Sequence, residues 1–403
     1  MHIVAAHTEF PLYWPPRWER LAASLLARGD RLTVVEIAGK SGHYDFAPSS
    51  VMDDRWHVLF PGGRPDRLAP ARMARALFRS LDDLCPDIVL AGGIAFPSGA
   101  TAVRWCRRRR RAVVIMDDIR TVEVPRSWLV NAVKRRVYRN VDAVLVPAPS
   151  HDDSYAFWGV PRCRIFHGLN AIDNDWFGRR VDAIRATSKP VEGPNPSTAR
   201  FFLGVGRQNP NKNWMCVLRA YALYRSRTPS PLELVLVGDG PSRHDLQDYA
   251  SRAVGKDVRF VGFVGQEELC TYYACAAALL LASYKETWSQ VVNEAMASGL
   301  PVLLTRNAGS ATTLLHEGEN GWTFDPNDPE ELARHMLALT QLSEERRRQM
   351  GQRSREIISH WGLDRFVQGA LAAIDAVKDV RRGFASPLDR CILALWKGRY
   401  RPL

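Results

Sequence analysis

Short apolar runs alternate with stretches of helical character along most of this chain, and the alternation stops once and then restarts. Ile3–Ala6, Leu32–Ile37, Ile88–Ala91, Val113–Met116 and Ala143–Val146 read as buried strands. Helical stretches such as Trp18–Arg28, Arg72–Leu84 and Val130–Arg139 lie between them. Strand and helix in alternation require a parallel sheet covered on both faces, because each crossover lays a helix across it. The break falls at 178–199, a polar segment containing Pro190, Pro194 and Pro196, which reads as a linker whose Val181–Ala186 part can form a short helix. Beyond it Phe201–Val205, Leu234–Val237, Val258–Phe260, Ala278–Leu281 and Val302–Leu304 read as strands. Helices are expected at Trp214–Tyr224, Arg243–Val254, Gln266–Cys275 and Gln290–Ser298. The expected architecture is α/β, with two doubly wound sheets facing across a cleft: a first domain over 1–177 and a second over 200–375. The chain is expected to be helical from about 355, with Trp361 and Phe366 as packing residues. A tail over 376–403, basic and amphipathic from Pro387 and carrying Trp396, is expected to pack back on the first domain, with contact to a membrane surface as the alternative. In such sheets ligands bind beyond the C-terminal ends of the strands.

The length of 403 residues suits two domains of about 200 residues better than one core. With 46% hydrophobic and 24% charged residues the composition is that of a folded globular protein. Seven scattered cysteines, none in a Cys-x-x-Cys pair, point to reduced, mostly core cysteine and a cytoplasmic setting. The start, Met1–Ala6, looks like a buried strand and not a signal peptide, and the longest apolar stretch, Ala274–Ala282, is far short of a membrane span. A net charge of +12 implies anionic partners. The densest basic cluster is Arg107–Arg111. It reads either as a solvated loop or as a patch facing an anionic membrane surface, the inner face of the plasma membrane, or a pyrophosphate-bearing acceptor. Nucleic acid is not an expected partner, because zinc-finger spacing, RNA-recognition aromatics and a helix-turn-helix are all missing from the sequence.

Three elements in the second half carry chemistry. Phe201–Val205 ends in Gly206-Arg207, with Lys212 in the loop before a helix; two cations and a helix N-terminus suit a diphosphate. Leu234–Val237 runs into Gly238-Asp239-Gly240-Pro241, a turn that is weak evidence by itself. The third element follows a buried strand and runs from Ser283 to Pro301. Ser289 is expected to cap a helix that Gly299 and Pro301 end. Glu286 is then in the loop and Glu294 in the second helical turn, roughly 8–12 Å apart, a span for two ends of one ligand and not for a shared acid–base pair. A carboxylate can accept two hydrogen bonds from a diol. The amides of Trp288 to Gln290 would face oxygens at the helix start.

At these residues the chain resembles the retaining glycosyltransferases of family 4, which have the two-domain GT-B fold with two Rossmann-like halves. The resemblance rests on Gly206/Arg207/Lys212, Gly238–Pro241, Glu286/Glu294, Ala295–Val302 and the later turn Gly318–Phe324. It is specific over about 200–340 and looser in the first domain, where Gly159-Val160-Pro161 and Asn170–Phe177 are similar to the family's passage into the linker. It implies transfer of a sugar, with retention, from a nucleotide-diphosphate donor to a glycan or lipid-linked acceptor, as in cell-surface polysaccharide or glycoconjugate synthesis. Arg207 and Lys212 would hold the diphosphate, Glu294 the ribose, Glu286 the sugar hydroxyls, and the backbone of Val261–Val264, around Phe263, the base. Gly206, Gly238, Thr287, Trp288, Ser289 and Gln290 complete the implied donor pocket, and no metal or other cofactor is implied.

The chain also departs from the family. Thr287-Trp288-Ser289 stands where relatives have Gly-Phe-Gly, which suggests a wider side chain near the sugar. Met116-Asp117-Asp118 lacks the His of the usual His-Asp; Asp117 or Asp118 is expected either to contact sugar or acceptor, assisting deprotonation, or simply to cap the next segment. The loop Glu9–Trp18 is rich in Trp, Tyr and Pro, suiting sugar or lipid contact and loop packing equally. Two rivals remain at this point. A nicotinamide-dinucleotide oxidoreductase needs a full Gly-x-Gly-x-x-Gly, and Gly204-Val205-Gly206 is followed by Asn209. A non-catalytic basic module binding nucleic acid or membrane would not need Arg207, Lys212, Glu286 and Glu294 together.

Overall fold

The structure, a computed structural model, describes residues 1–40, 54–187, 200–380 and 382–398. The chain divides into two compact units, Met1–Ile172 with Leu363–Leu403, and Asp173–Gly362.

Among the described residues, the sheet of the first unit has seven strands: β1 His2–His7, β2 Arg31–Ala38, β3 Trp56–Phe60, β4 Ile88–Gly92, β5 Ala112–Met116, β6 Ala143–Val146 and β7 Ile165–His167. Their order is β3-β2-β1-β4-β5-β6-β7, and every pair is parallel. The order reverses between β1 and β4, the kind of switch point at which doubly wound sheets bind ligands. Alternate residues of one strand feed opposite cores. Ile3 and Ala5 join Trp18, Leu21 and Leu25 of the helix Trp14–Leu26 on one face. Val4 and Ala6 join Met73, Leu77 and Leu81 of the helix Pro70–Leu84 on the other.

The sheet of the second unit has six strands among the described residues: β8 Phe201–Val205, β9 Glu233–Val237, β10 Val258–Gly262, β11 Ala276–Leu281, β12 Val302–Thr305 and β13 Gly321–Phe324. The order is β10-β9-β8-β11-β12-β13, again parallel throughout. Phe202, Leu236 and Leu280 pack against Trp214 and Tyr221 of the helix Trp214–Ser226 and against Met336 of the helix Pro329–Gln341.

Each strand expected from the sequence is present within two residues of its expected ends. The unexpected ones, β3, β7 and β13, stand at sheet edges and are only partly buried, and none carries an apolar run as long as those of the central strands β4, β5 and β11. The division of the chain differs from the expected one at two places. Residues 178–186, read as the start of a linker, belong to a helix Asn174–Ala186 in the second unit. It packs on the helices Gln266–Cys275 and Gln290–Ala297, and Arg185 donates to the carbonyls of Tyr273, Ala274 and Ser298 at their ends. The rest of the expected linker, 188–199, is outside the described residues. Leu363–Lys378, placed by sequence in the second domain, instead closes the first unit: Phe366, Ala370, Ala373 and Ile374 bury against the core of β1 and β5. Periodicity reveals an apolar stripe on a helix, but not the sheet that receives it.

The tail helix Pro387–Leu395 packs on the helices Pro97–Arg109 and Trp128–Tyr138, and the Trp396 indole donates to Ile94 O at 2.7 Å. Residues 399–403 are outside the described residues. The aromatic loop before the first helix is a packing element. Phe10, Trp14 and Trp18 interlock, with Trp14 stacked on Trp18 at 5.2 Å and Trp18 edge-on to Phe366 at 5.6 Å. Pro15 and Pro16, read as loop, start the helix Trp14–Leu26, where a missing N–H costs nothing. Trp18→Ala is expected to lower the stability of the first unit by about 3–5 kcal/mol in chemical denaturation, whereas Leu26→Ala, at a 74% exposed position, changes it by about 0.5 kcal/mol or less.

Candidate functional site

The ends of β8, β9 and β10 are locked together by main-chain contacts. Gln208 N donates to Asp239 O at 2.9 Å, and the Gln208 side-chain amide donates to Gly238 O at 2.9 Å. Ser242 N donates to Gln208 O, and Gly238 N to Gly262 O at 2.7 Å. Gly238 has φ +128°, and a Cβ there would stand 2.1 Å from Gly206 O; at Gly240 it would stand 2.4 Å from Gln208 O. The glycines of Gly238–Pro241 therefore serve the approach of one loop to another. Phe263, just past β10, is 54% exposed.

The β8 loop then turns toward β11. Asn209 Oδ1 accepts from Lys212 N across the short turn Pro210–Lys212, and Asn213 sits in the left-handed region at φ 55°. Asn tolerates that conformation better than most residues. The Asn213 amide donates to Ala282 O and Pro326 O, the Asn211 amide donates to Lys285 O, and Tyr284 N donates to Asn211 O. These bonds bring Lys212 to Glu286: Lys212 Nζ donates to Glu286 Oε2 at 2.5 Å, and Ser283 Oγ donates to the same oxygen at 3.0 Å. The pair is largely shielded, with side-chain exposures of 22% and 11%. Arg207 is half-buried at the start of the same loop, its carbonyl held by the Trp214 indole at 3.0 Å.

Glu294 is buried in the helix Gln290–Ala297 and accepts from Tyr273 Oη at 2.7 Å. Glu286 and Glu294 thus have separate hydrogen-bond donors. Thr287, Ser289 and Gln290 are partly exposed where the loop enters the helix. Ser289 occupies the cap position but makes no side-chain cap bond, because its φ of +82° departs from the extended backbone that capping needs. Trp288 departs from expectation as well. Its indole is buried, donates to Asn293 Oδ1 at 2.9 Å and lies 6.0 Å from the Trp361 ring, so it is a packing side chain of the second unit. The Gly318–Phe324 turn is a folding element: buried Asn320 accepts from His316 N and donates to Leu314 O.

In the first unit Asp117 follows β5 and accepts from Tyr138 Oη at 3.1 Å, while Asp118 accepts from the Asn170 amide at 3.0 Å. Tyr138, Tyr155 and Trp158 pack ring on ring beside them. The Lys134 ammonium lies 3.7 Å from the Trp158 ring centre. Burial pulls its pKa down to about 8, with the negative charge of Asp117 acting in the opposite direction. Arg107–Arg111 is a surface run, with Arg108–Arg110 exposed, whose charge is largely paired. Arg107, Arg109 and Arg111 pair with Asp142, Asp82 and Asp87 at 2.6, 2.8 and 2.8 Å. Sequence reasoning missed Tyr273, Ser283, Gln208 and Asn213; of these only Asn213, an Asn just before a helix, carries a local signal.

Two family models match the chain: "Glycosyl transferases group 1" over residues 187–357, and "Glycosyl transferase 4-like domain" over 15–166. The chain belongs to this glycosyltransferase family, family 4. It is 35% identical over 197 residues to a GDP-mannose-dependent alpha-mannosyltransferase of Corynebacterium glutamicum, covering 48% of this chain and 43% of that one. It is 32% identical over 290 residues to a D-inositol 3-phosphate glycosyltransferase of Corynebacterium kroppenstedtii, covering 70% and 62%. In each of these relatives the match spans less than two thirds of the length. In fold it is similar to Anabaena Alr3699/HepE in complex with UDP, at TM-score 0.70 and 16% identity over 93% of this chain and 100% of that one. The fold is GT-B. Among the described residues no helix is long and apolar enough to cross a membrane.

Gly238→Ala is expected to cost about 2–4 kcal/mol in chemical denaturation, because both the backbone region and the Gly206 carbonyl oppose a Cβ.

Proposed function

We propose that this protein transfers a sugar from a nucleoside-diphosphate donor to a hydroxyl of a glycan or lipid-linked acceptor, with retention of anomeric configuration, in the synthesis of a cell-surface polysaccharide or glycoconjugate. The observation that carries the reading is the Lys212–Glu286 pair, a cation and a carboxylate held together where the loops of β8 and β11 meet. A donor has a matching pair of features side by side: an anionic diphosphate and a sugar rich in hydroxyls. In this reading Lys212 and Arg207 face the diphosphate and offset the charge that grows as the glycosidic bond breaks. Glu286 accepts hydrogen bonds from the transferred sugar, and Glu294, fixed by Tyr273, accepts from the ribose. Backbone around Gly206, Gly238 and Phe263 lies along the nucleoside. The first-turn amides after Thr287, with Ser289 and Gln290, meet phosphate or sugar oxygens.

The acceptor hydroxyl attacks from the face that the diphosphate leaves, and a leaving-phosphate oxygen takes its proton. Asp117 orients sugar or acceptor. In this reading the two cations supply the positive charge that a metal would otherwise bring to the diphosphate, and the reaction needs none. Names among the relatives support a nucleotide-sugar donor: one uses GDP-mannose, and the Anabaena structure holds UDP. The oxidoreductase and non-catalytic readings have no such support, since the family models in both halves of the chain are glycosyltransferase models.

Lys212→Ala is expected to cut turnover by roughly 10²–10³-fold with an unchanged melting profile. Wild-type turnover is expected to persist in EDTA. Transfer near the wild-type rate by the variant would remove the diphosphate role, and loss of activity in EDTA would restore a metal. In a thermal-shift screen against UDP-, GDP- and ADP-sugars, one nucleotide class is expected to raise the midpoint, by an amount set by about 2.7 kcal/mol at a hundredfold excess over Kd. A flat screen across all three would count against a donor site.

A further inference from the structure

A groove of about 490 Å³ runs along the helix Trp128–Tyr138 and is lined by Arg126, Trp128, Asn131, Arg135, Arg139 and Phe157, among others. Its apolar members stand in solvent: Trp128 is 76% exposed, Leu129 beside it 57%, Val130 41% and Phe157 44%. Single exposed apolar residues need no explanation, but three consecutive ones at a helix start, next to a fourth, form a patch. The neighbouring helix Pro387–Leu395 adds exposed Leu388 and Leu395. The patch contributes nothing to the core of the unit, and the donor site does not use it.

The segment that carries most of this patch is basic. From 124 to 141 the chain carries five basic residues and no acidic one. Arg126 Nη1 donates to Val124 O, and Arg135 Nε donates to Phe157 O with its guanidinium 4.4 Å from the Phe157 ring centre. Such carbonyl bonds fix a guanidinium without neutralising it. Arg136 meets Asp389 at 3.6 Å. Arg126, Arg135 and Arg139 face no carboxylate within ion-pair distance among the described residues. This contrasts with Arg107–Arg111, where three of the five arginines are paired. The unneutralised charge of this part of the chain therefore sits around exposed apolar side chains.

We propose that this face of the first unit docks on an anionic lipid bilayer. Trp128, Leu129, Val130 and Phe157 enter the boundary between headgroups and acyl chains, and Arg126, Arg135 and Arg139 meet lipid phosphates. Amphipathic helices with basic and aromatic residues bind interfaces by this division of labour. A nucleic-acid backbone has use for the arginines but not for protruding Leu129 and Val130, which is why lipid is the occupant that fits both. The proposal does not rest on the sugar-transfer reading, since binding is measured without turnover.

The test is co-sedimentation of the full chain with phosphatidylcholine vesicles made with and without phosphatidylglycerol. The wild type is expected to bind the anionic vesicles, less tightly as salt rises, and to leave the neutral ones in large part unbound. Trp128→Ser with Leu129→Ser, and separately Arg135→Gln with Arg139→Gln, are each expected to weaken binding roughly tenfold or more, with unchanged far-UV circular dichroism and melting. Arg75→Gln with Arg79→Gln, two exposed arginines of the helix Pro70–Leu84, is expected to bind like the wild type. Three results would overturn the proposal. One is no binding by the wild type. Another is equal loss in the Arg75/Arg79 variant, which would make net charge the cause. The third is tight binding of a DNA duplex that is insensitive to the Trp128/Leu129 change, together with weaker vesicle binding.

Discussion

Gly238 has no side chain because the carbonyl of Gly206 occupies the place where one would stand. From that single steric demand much of the geometry at the ends of β8, β9 and β11 follows. With the two backbones in contact, Gln208 bonds to both Gly238 and Asp239, and the ends of β8 and β9 become one rigid edge. The edge fixes where the β8 loop departs. Asn211 and Asn213 then tie that loop to the carbonyls that follow β11, and only at this point does Lys212 reach Glu286. The charged pair is the visible chemistry, but neutral main-chain bonds between loops from different strands set its position. Ion pairs that are partly shielded from water need such preorganised geometry to be worth forming.

That hierarchy explains what could be read in the sequence. Both sheets were legible because parallel strands buried on two faces are written as continuous apolar runs, and Phe201–Val205 or Ala143–Val146 look the same in sequence and in structure. The residues proposed to carry chemistry, Lys212, Glu286 and Glu294, stand out in the sequence by type and spacing. Their supports do not. Tyr273, which holds Glu294, lies on a different helix with nothing local to mark it. The Trp288 side chain shows the same limit. A large side chain beside functional residues looks like a pocket wall, and only tertiary packing shows it turned toward Trp361 and Asn293.

Charge was the property that sequence located least well. The five consecutive arginines at 107–111 draw attention, yet Asp82, Asp87 and Asp142, distant in sequence, are brought to them by the fold. Arg126, Arg135 and Arg139 stand out less in the sequence and keep their charge, because that stretch is empty of acids and, among the described residues, none of the three has a carboxylate within ion-pair distance. Net charge is fixed by composition, whereas field is fixed by which charges fold next to one another.

The helix Leu363–Lys378 has a consequence for how the protein is made. It carries Phe366, Ala370 and Ile374 into the core beneath β1 and β5, so the sheet that begins at His2 stays uncovered on part of one face until the ribosome has passed residue 378. The second unit, by contrast, lies on one continuous stretch, Asp173–Gly362, and can close before the first is finished. In vectorial synthesis the order of completion is thus the reverse of the order of translation. The first sheet waits, with apolar surface open, for a segment that is translated after the whole of the second unit.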